Sequence, residues 1–137
     1  MQQIEKTLDE LNRVAARYTT LKSLFSQFQQ SIEKASKSFP VKGIALTTVT
    51  ATKSEVEFLD RRYTISFSVA DGHGAIEFTR MKEPPANSEP TRLALVRFNG
   101  EGVLDIKQPA SEDPMNLKEE SCCLNLLVHW LLQDAPA

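Results

Sequence analysis

The strongest constraint on the fold is a stripe of apolar residues at the start of the chain. Ile4, Leu8, Leu11, Ala15, Tyr18, Leu21, Phe25, Phe28, Ile32, Ala35 and Phe39 follow one another at steps of three and four, the spacing that keeps side chains on one face of an α-helix. Lys6, Asp9, Glu10, Arg13, Arg17, Lys22 and Lys34 fill the intervening positions and form a solvated face. Two successive three-residue steps flank Tyr18, a stammer that overwinds the stripe locally. Phe39-Pro40 ends the helix, because the residue before a proline is pushed out of the α region.

Length sharpens this reading. A helix over 2–38 runs about 55 Å at about 1.5 Å per residue, whereas a domain of 137 residues is about 37 Å across. The helix therefore protrudes, or it breaks at Thr19-Thr20, where two β-branched residues meet. The protruding form is preferred, because the half after Leu21 is aromatic-rich like a sheet-packing face and the first half is a narrower seam. Ile4, Leu8, Leu11, Ala15 and Tyr18 then need a partner chain. The simplest partner is a second copy in a symmetric dimer.

From Val41 to Gln108 the period changes to two. Strands are predicted at 43–50, 55–59, 62–70, 75–81, 92–98 and 102–107. The clearest alternates Tyr63, Ile65, Phe67 and Val69 with Thr64, Ser66 and Ser68, apolar on one face and hydroxyl-bearing on the other. Asp60-Arg61, Asp71-Gly72-His73-Gly74 and Asn99-Gly100 are hairpin signals, the last a type I′ pair. No link is long enough for a parallel crossover. The longest, 82–91, carries three prolines and reads as a surface loop. Strand 92–98 is apolar on both faces. It suits a central strand covered by the terminal helices, or a strand whose second face meets a partner.

The last element is the most hydrophobic. A helix over 113–133 has two candidate starts, Asp113-Pro114 and Asn116 with Glu119. Cys122 to Leu132 is apolar except for Asn125 and His129, so the helix should be buried on more than one side. Leu124, Leu127, Val128 and Leu131 suit the sheet. Cys122, Leu126 and Trp130 remain for the first helix or another molecule. The adjacent cysteines are too close for an unstrained disulfide and read as buried apolar residues of a reducing compartment.

The class expected is α+β: a single domain over 1–137 with a long amphipathic helix (1–39), an antiparallel meander of about six strands (41–108) and a C-terminal helix packed on the sheet (113–133). With 41% hydrophobic residues and a net charge of −2 the chain has the composition of a folded protein. It lacks an apolar run long enough for a membrane span and a signal-like apolar stretch near its start, so a cytoplasmic protein is expected. It is not basic, which argues against nucleic acid.

Chemistry is thinly represented. His73 lies in a glycine turn, and His129 is about 10 Å along the helix from Cys122. No zinc spacing, phosphate loop, dinucleotide motif or nucleophile elbow occurs. Glu55 and Glu57 share a strand face about 7 Å apart, an arrangement open to acid–base work but equally to guarding an edge. Arg61, Arg62, Arg80 and Lys82 fall at strand ends where an anion or an acidic partner segment could bind. The reading that follows is a non-catalytic protein-interaction module, an adaptor, chaperone or inhibitor acting as a homodimer. Its contact residues are Ile4, Leu8, Leu11, Ala15, Tyr18 and Trp130, with no cofactor or metal. The alternatives are a small hydrolase or isomerase using Glu55, Glu57 or His73, and a weak nucleic-acid binder using the arginines.

Overall fold

In the computed structural model, which describes residues 2–38, 43–81, 90–107 and 113–134, the apolar stripe forms one uninterrupted helix, α1 (Gln2–Ser38). Thr19 and Thr20 do not break it. Their hydroxyls donate to the carbonyls of Ala15 (3.0 Å) and Ala16 (3.1 Å), the back-bonding by which a threonine is accommodated within a helix.

Among the described residues seven strands follow: β1 (Ile44–Thr50), β2 (Lys53–Phe58), β3 (Arg61–Ala70), β4 (His73–Arg80), β5 (Thr91–Phe98), β6 (Val103–Lys107) and β7 (Pro114–Asn116). Each pairs antiparallel with the next, so the sheet order is the chain order. The chain closes with α2 (Glu120–Asp134). The α+β class and the antiparallel meander are as expected, with one strand more.

That extra strand comes from the segment expected to start the last helix. Pro114 and Asn116 pair with Lys107 and Val103, and the Leu117 N–H donates to the Gly102 carbonyl (2.8 Å). The Asn116 side chain accepts the Lys118 N–H (2.9 Å) and closes a turn. The first α2 bond then runs from the Cys123 N–H to the Glu119 carbonyl (3.2 Å), and α2 begins at Glu120 rather than at 113.

The turns also differ in detail. Between β2 and β3 the reversal uses Leu59 and Asp60, with φ of 52° and 64°, two left-handed residues as a type I′ turn requires and one position earlier than the expected Asp60-Arg61. Asp71 and Gly72 form the same kind of turn. At Asn99-Gly100 the expected two-residue turn is replaced by a longer one. The Asn99 side chain accepts the N–H groups of Glu101 (2.9 Å) and Val103 (3.0 Å), and Gly102 takes the left-handed conformation.

One face of the sheet carries the core. Val56, Tyr63, Ile65, Phe67, Ile76, Phe78, Val96 and Phe98 pack against Leu21, Leu24, Phe25, Phe28 and Ile32 of α1 and Cys123, Leu126, Leu127, Trp130 and Leu131 of α2. Aromatic rings link the layers. Phe25 stacks on Phe67 (5.4 Å), Trp130 stacks on Phe78 (5.1 Å) and meets Phe28 edge-on (6.3 Å). Both helices therefore pack on the same face. Strand β5 is not covered on both sides. A bulge sets Phe78 opposite Ala94 but Thr79 opposite Arg92, so Leu93 is the extra residue and packs against the core cluster, while Leu95 stays exposed. Buried Gln29 ties α1 to the sheet by donating to Ser54 Oγ (2.9 Å) and the Thr50 carbonyl (3.0 Å).

Candidate interaction surface

The stripe on α1 divides at Tyr18. From Leu21 onward its apolar residues are buried in the core. Before it, every residue from Gln3 to Thr20 is exposed. Ile4 (62%), Leu8 (53%), Leu11 (59%), Val14 (67%) and Tyr18 (41%) present apolar side chains to solvent, with Ala15 beside them. This free end of 3–20 is about 27 Å long.

Tyr18 marks the junction. Its ring lies 5.9 Å from that of Phe67, and the Lys22 ammonium sits 5.8 Å above it. Arg17 reaches the β3–β4 turn, its Nη1 2.8 Å from where a side chain on Gly72 would begin. Beyond this point no described residue covers the helix. Val14 extends the stripe and is missing from the expected contact set, because it lies one position off the strict seam.

The chain matches no family model, no curated protein and no solved structure.

Trp130, expected at the same contact surface, is elsewhere. It is 2% exposed and lies between the sheet and α1, because α2 turns Cys122, Cys123, Leu126, Leu127, Trp130 and Leu131 inward. The outward side of α2 carries Val128 and Leu132 instead, which reverses the expected role of Val128.

The arginines divide. Arg61 Nη1 lies 3.1 Å from Asp134 Oδ2, and Arg80 Nη1 lies 2.5 Å from Asp134 Oδ1. The Tyr63 hydroxyl donates to the same carboxylate (2.8 Å), and Arg61 also donates to the Asp134 backbone carbonyl. These residues do gather at an acidic group, but the group is the end of the chain's own α2. An aspartate at a helix C-terminus opposes the helix dipole. Two guanidinium groups offset that repulsion and cap the helix. Burial, followed by the neighbouring Asp134 carboxylate, pushes the Tyr63 phenol above its usual range. Arg62 is exposed on the opposite side of β3 from Arg61 and Tyr63, and Lys82 lies outside the described residues.

Glu55 and Glu57 are exposed on the face of β2 away from the helices. Glu55 pairs in register with Thr64, whereas His73 pairs with Ala70. Six residues of β3 separate those levels, about 20 Å, so the three groups do not meet. His73 Nδ1 is 3.1 Å from the Asp71 carbonyl oxygen, and His129 contacts Gln133. Among the described residues no three His, Cys, Asp or Glu side chains gather as a metal site, and no helix is long and apolar enough to cross a membrane.

The thiols are held in the protonated form. Cys123 donates to the Leu117 carbonyl (3.2 Å), and burial pushes its pKa up to about 12. Cys122 is also raised by burial. A thiolate is the reactive form, so both behave as packing residues. A shallow cavity of about 240 Å³ lies between Gln27, Gln30, Ser31 and Lys34 of α1 and the 117–120 turn. It contains none of the candidate residues.

Proposed function

We propose that the chain is a non-catalytic protein-interaction module that works as a homodimer joined through the first half of α1. The observation that carries this reading is the exposed stripe Ile4, Leu8, Leu11, Val14 and Tyr18. Helices in proteins gain most of their stability from an apolar face packed on something. The free end of α1 has such a face, and no described residue of its own domain packs on it.

Charge supports a second copy as the occupant and favours one direction for it. Glu5, Asp9 and Glu10 outnumber Lys6 near the helix start, whereas Arg13, Arg17 and Lys22 have no acidic counterpart before Glu33. Two parallel copies would stack like charges. Two antiparallel copies with Glu5 opposite Arg17 and Asp9 opposite Arg13 lay the acidic end of each against the basic part of the other, and set Ile4 beside Tyr18, Leu8 beside Val14 and Leu11 beside its own copy.

Light scattering on the full chain tests this. The wild type should run as a dimer, and the double variant Leu8→Glu with Leu11→Glu should run as a monomer with its strand circular dichroism retained. A wild-type monomer at about 100 μM, well above the about micromolar dissociation constant expected of an effective dimer, refutes the reading.

A further inference from the structure

Among the described residues strand β1 is an open sheet edge with few of the usual guards. Natural edges are blunted by charged side chains, proline, bulges or brevity, and β1 has only a register shift between Thr48 and Thr50, at its turn end. Ile44–Thr50 contains no charged residue, no proline and no glycine, and is seven residues long. Among the described residues it pairs with β2 alone. The opposite edge, β7, has three residues. Helix α1 holds one face of β1 and leaves its edge open: the Thr48 hydroxyl donates to the Glu33 carboxylate.

The two sides of this edge differ in chemistry. On the helix side Ile44 and Leu46 are half-buried, with apolar flanks that a further strand would cover. On the open side Ala45 and Thr47 stand in register with Glu57 and Glu55. These two small residues leave the carboxylates reachable from a strand added beyond β1, about 9.6 Å or two strand spacings from β2. Neither glutamate takes part in a salt bridge among the described residues. Arg62 stands opposite Glu57, and Thr64 opposite Glu55. Lys53 lies at the turn end, opposite Thr50, so the acidic stretch is the one beside Ala45 and Thr47.

We propose that β1 binds an extended protein segment of alternating apolar and basic residues, which adds to the sheet as a further strand. Main-chain hydrogen bonds to the free edge hold it. Its apolar residues cover Ile44 and Leu46, and its lysines or arginines face Glu55 and Glu57. This site is separate from the α1 stripe and does not depend on dimerisation.

The test uses the full chain and a fluorescently labelled heptapeptide of alternating lysine and valine. Saturable binding is expected, with amide exchange in β1 slowed at least tenfold. The glutamate–valine counterpart should bind at least tenfold more weakly, as should the lysine–valine peptide to Glu55→Gln with Glu57→Gln. Thr47→Lys, a surface change that guards the edge, should abolish binding while leaving the melting temperature unchanged. Absence of binding, equal binding of both peptides, or protection outside β1 overturns the proposal. So does protection of β1 without peptide that grows with protein concentration, because a second copy would then occupy the edge.

Discussion

Arg80 Nη1 lies 2.5 Å from Asp134 Oδ1 and ties the last residue of α2 to a strand 54 positions earlier. With Arg61 and Tyr63 on the same carboxylate, this contact sets where the C-terminal helix ends against the sheet. The Asp134 side chain is 9% exposed, whereas both arginines keep about a third of their surface in water.

That asymmetry orders the effects of mutation. Asp134→Ala removes both carboxylate oxygens, keeps only the backbone carbonyl for Arg61, and leaves two neighbouring cations without their counter-charge. Arg80→Met removes one donor and retains the packing stem. Hydrogen bonds to charged groups are each worth about 1.5–3 kcal/mol net, less where water screens them. Asp134→Ala should cost about 2–3 kcal/mol in urea unfolding and Arg80→Met about 1 kcal/mol.

Alkaline pH should weaken the fold through Cys123 and Tyr63. Both have folded pKa values above their ordinary ones, with Cys123 up to about 12 from 9.0. The native state therefore holds a proton that the unfolded chain releases. The stability from each group is complete below its unfolded pKa and is lost as pH rises through the folded one. Unfolding free energy should fall from about pH 9 upward by up to about 1.4 kcal/mol per pH unit for one proton. Cys123→Ala should flatten the slope between pH 9 and 12. Tyr63→Phe should flatten only the part above pH 10. In native protein at pH 8, a thiol reagent should label Cys123 no faster than the chain opens.

Gly74 should be sensitive to alanine and Gly100 should tolerate it. A Cβ on Gly74 would lie 2.2 Å from Phe98 Cζ, and Phe98 is fully buried across the strand pair. Nothing lies within 4 Å of a Cβ on Gly100. Overpacking of a rigid core costs about 1–3 kcal/mol or more, so Gly74→Ala should lower the melting temperature by several degrees. Gly100→Ala should stay within about 0.5 kcal/mol of wild type.

What could be read from the sequence followed from local periodicity. The α1 stripe and the alternation in β3 depend on neighbours three, four or two residues apart, and both emerged as expected. The Leu59-Asp60 turn was hidden because neither residue is a glycine. The Asn99 loop was hidden because a side-chain acceptor, not a dipeptide preference, shapes it. A single inserted residue at Leu93 made β5 look two-sided. Ile4, Leu8 and Leu11 were legible as a seam and, from the helix length against the width of the domain, as lying outside it. Apolar spacing by itself is the same on a core face and on an exposed one, and that ambiguity misplaced Trp130. The Asp134 cluster joins residues 54 to 73 positions apart, beyond any local signal.

The direction of the proposed dimer can be tested by cross-linking. In the antiparallel arrangement Ile4 of one copy lies near Tyr18 of the other. The two copies of Ile4 are then about fourteen residues apart along the helix, roughly 21 Å, far beyond the about 4.4–6.8 Å Cα separation of a disulfide. Ile4→Cys alone should stay uncrosslinked under mild oxidation, whereas an equimolar mixture of Ile4→Cys and Tyr18→Cys should form a disulfide-linked heterodimer. Parallel helices would reverse the outcome, since each position then faces its own copy. Buried Cys122 and Cys123 do not compete while the core is closed. Because the preference for one direction comes from Glu5 and Asp9 meeting Arg17 and Arg13, about 1 M salt, with a Debye length of about 3 Å, should lower heterodimer yield and let some Ile4→Cys homodimer appear.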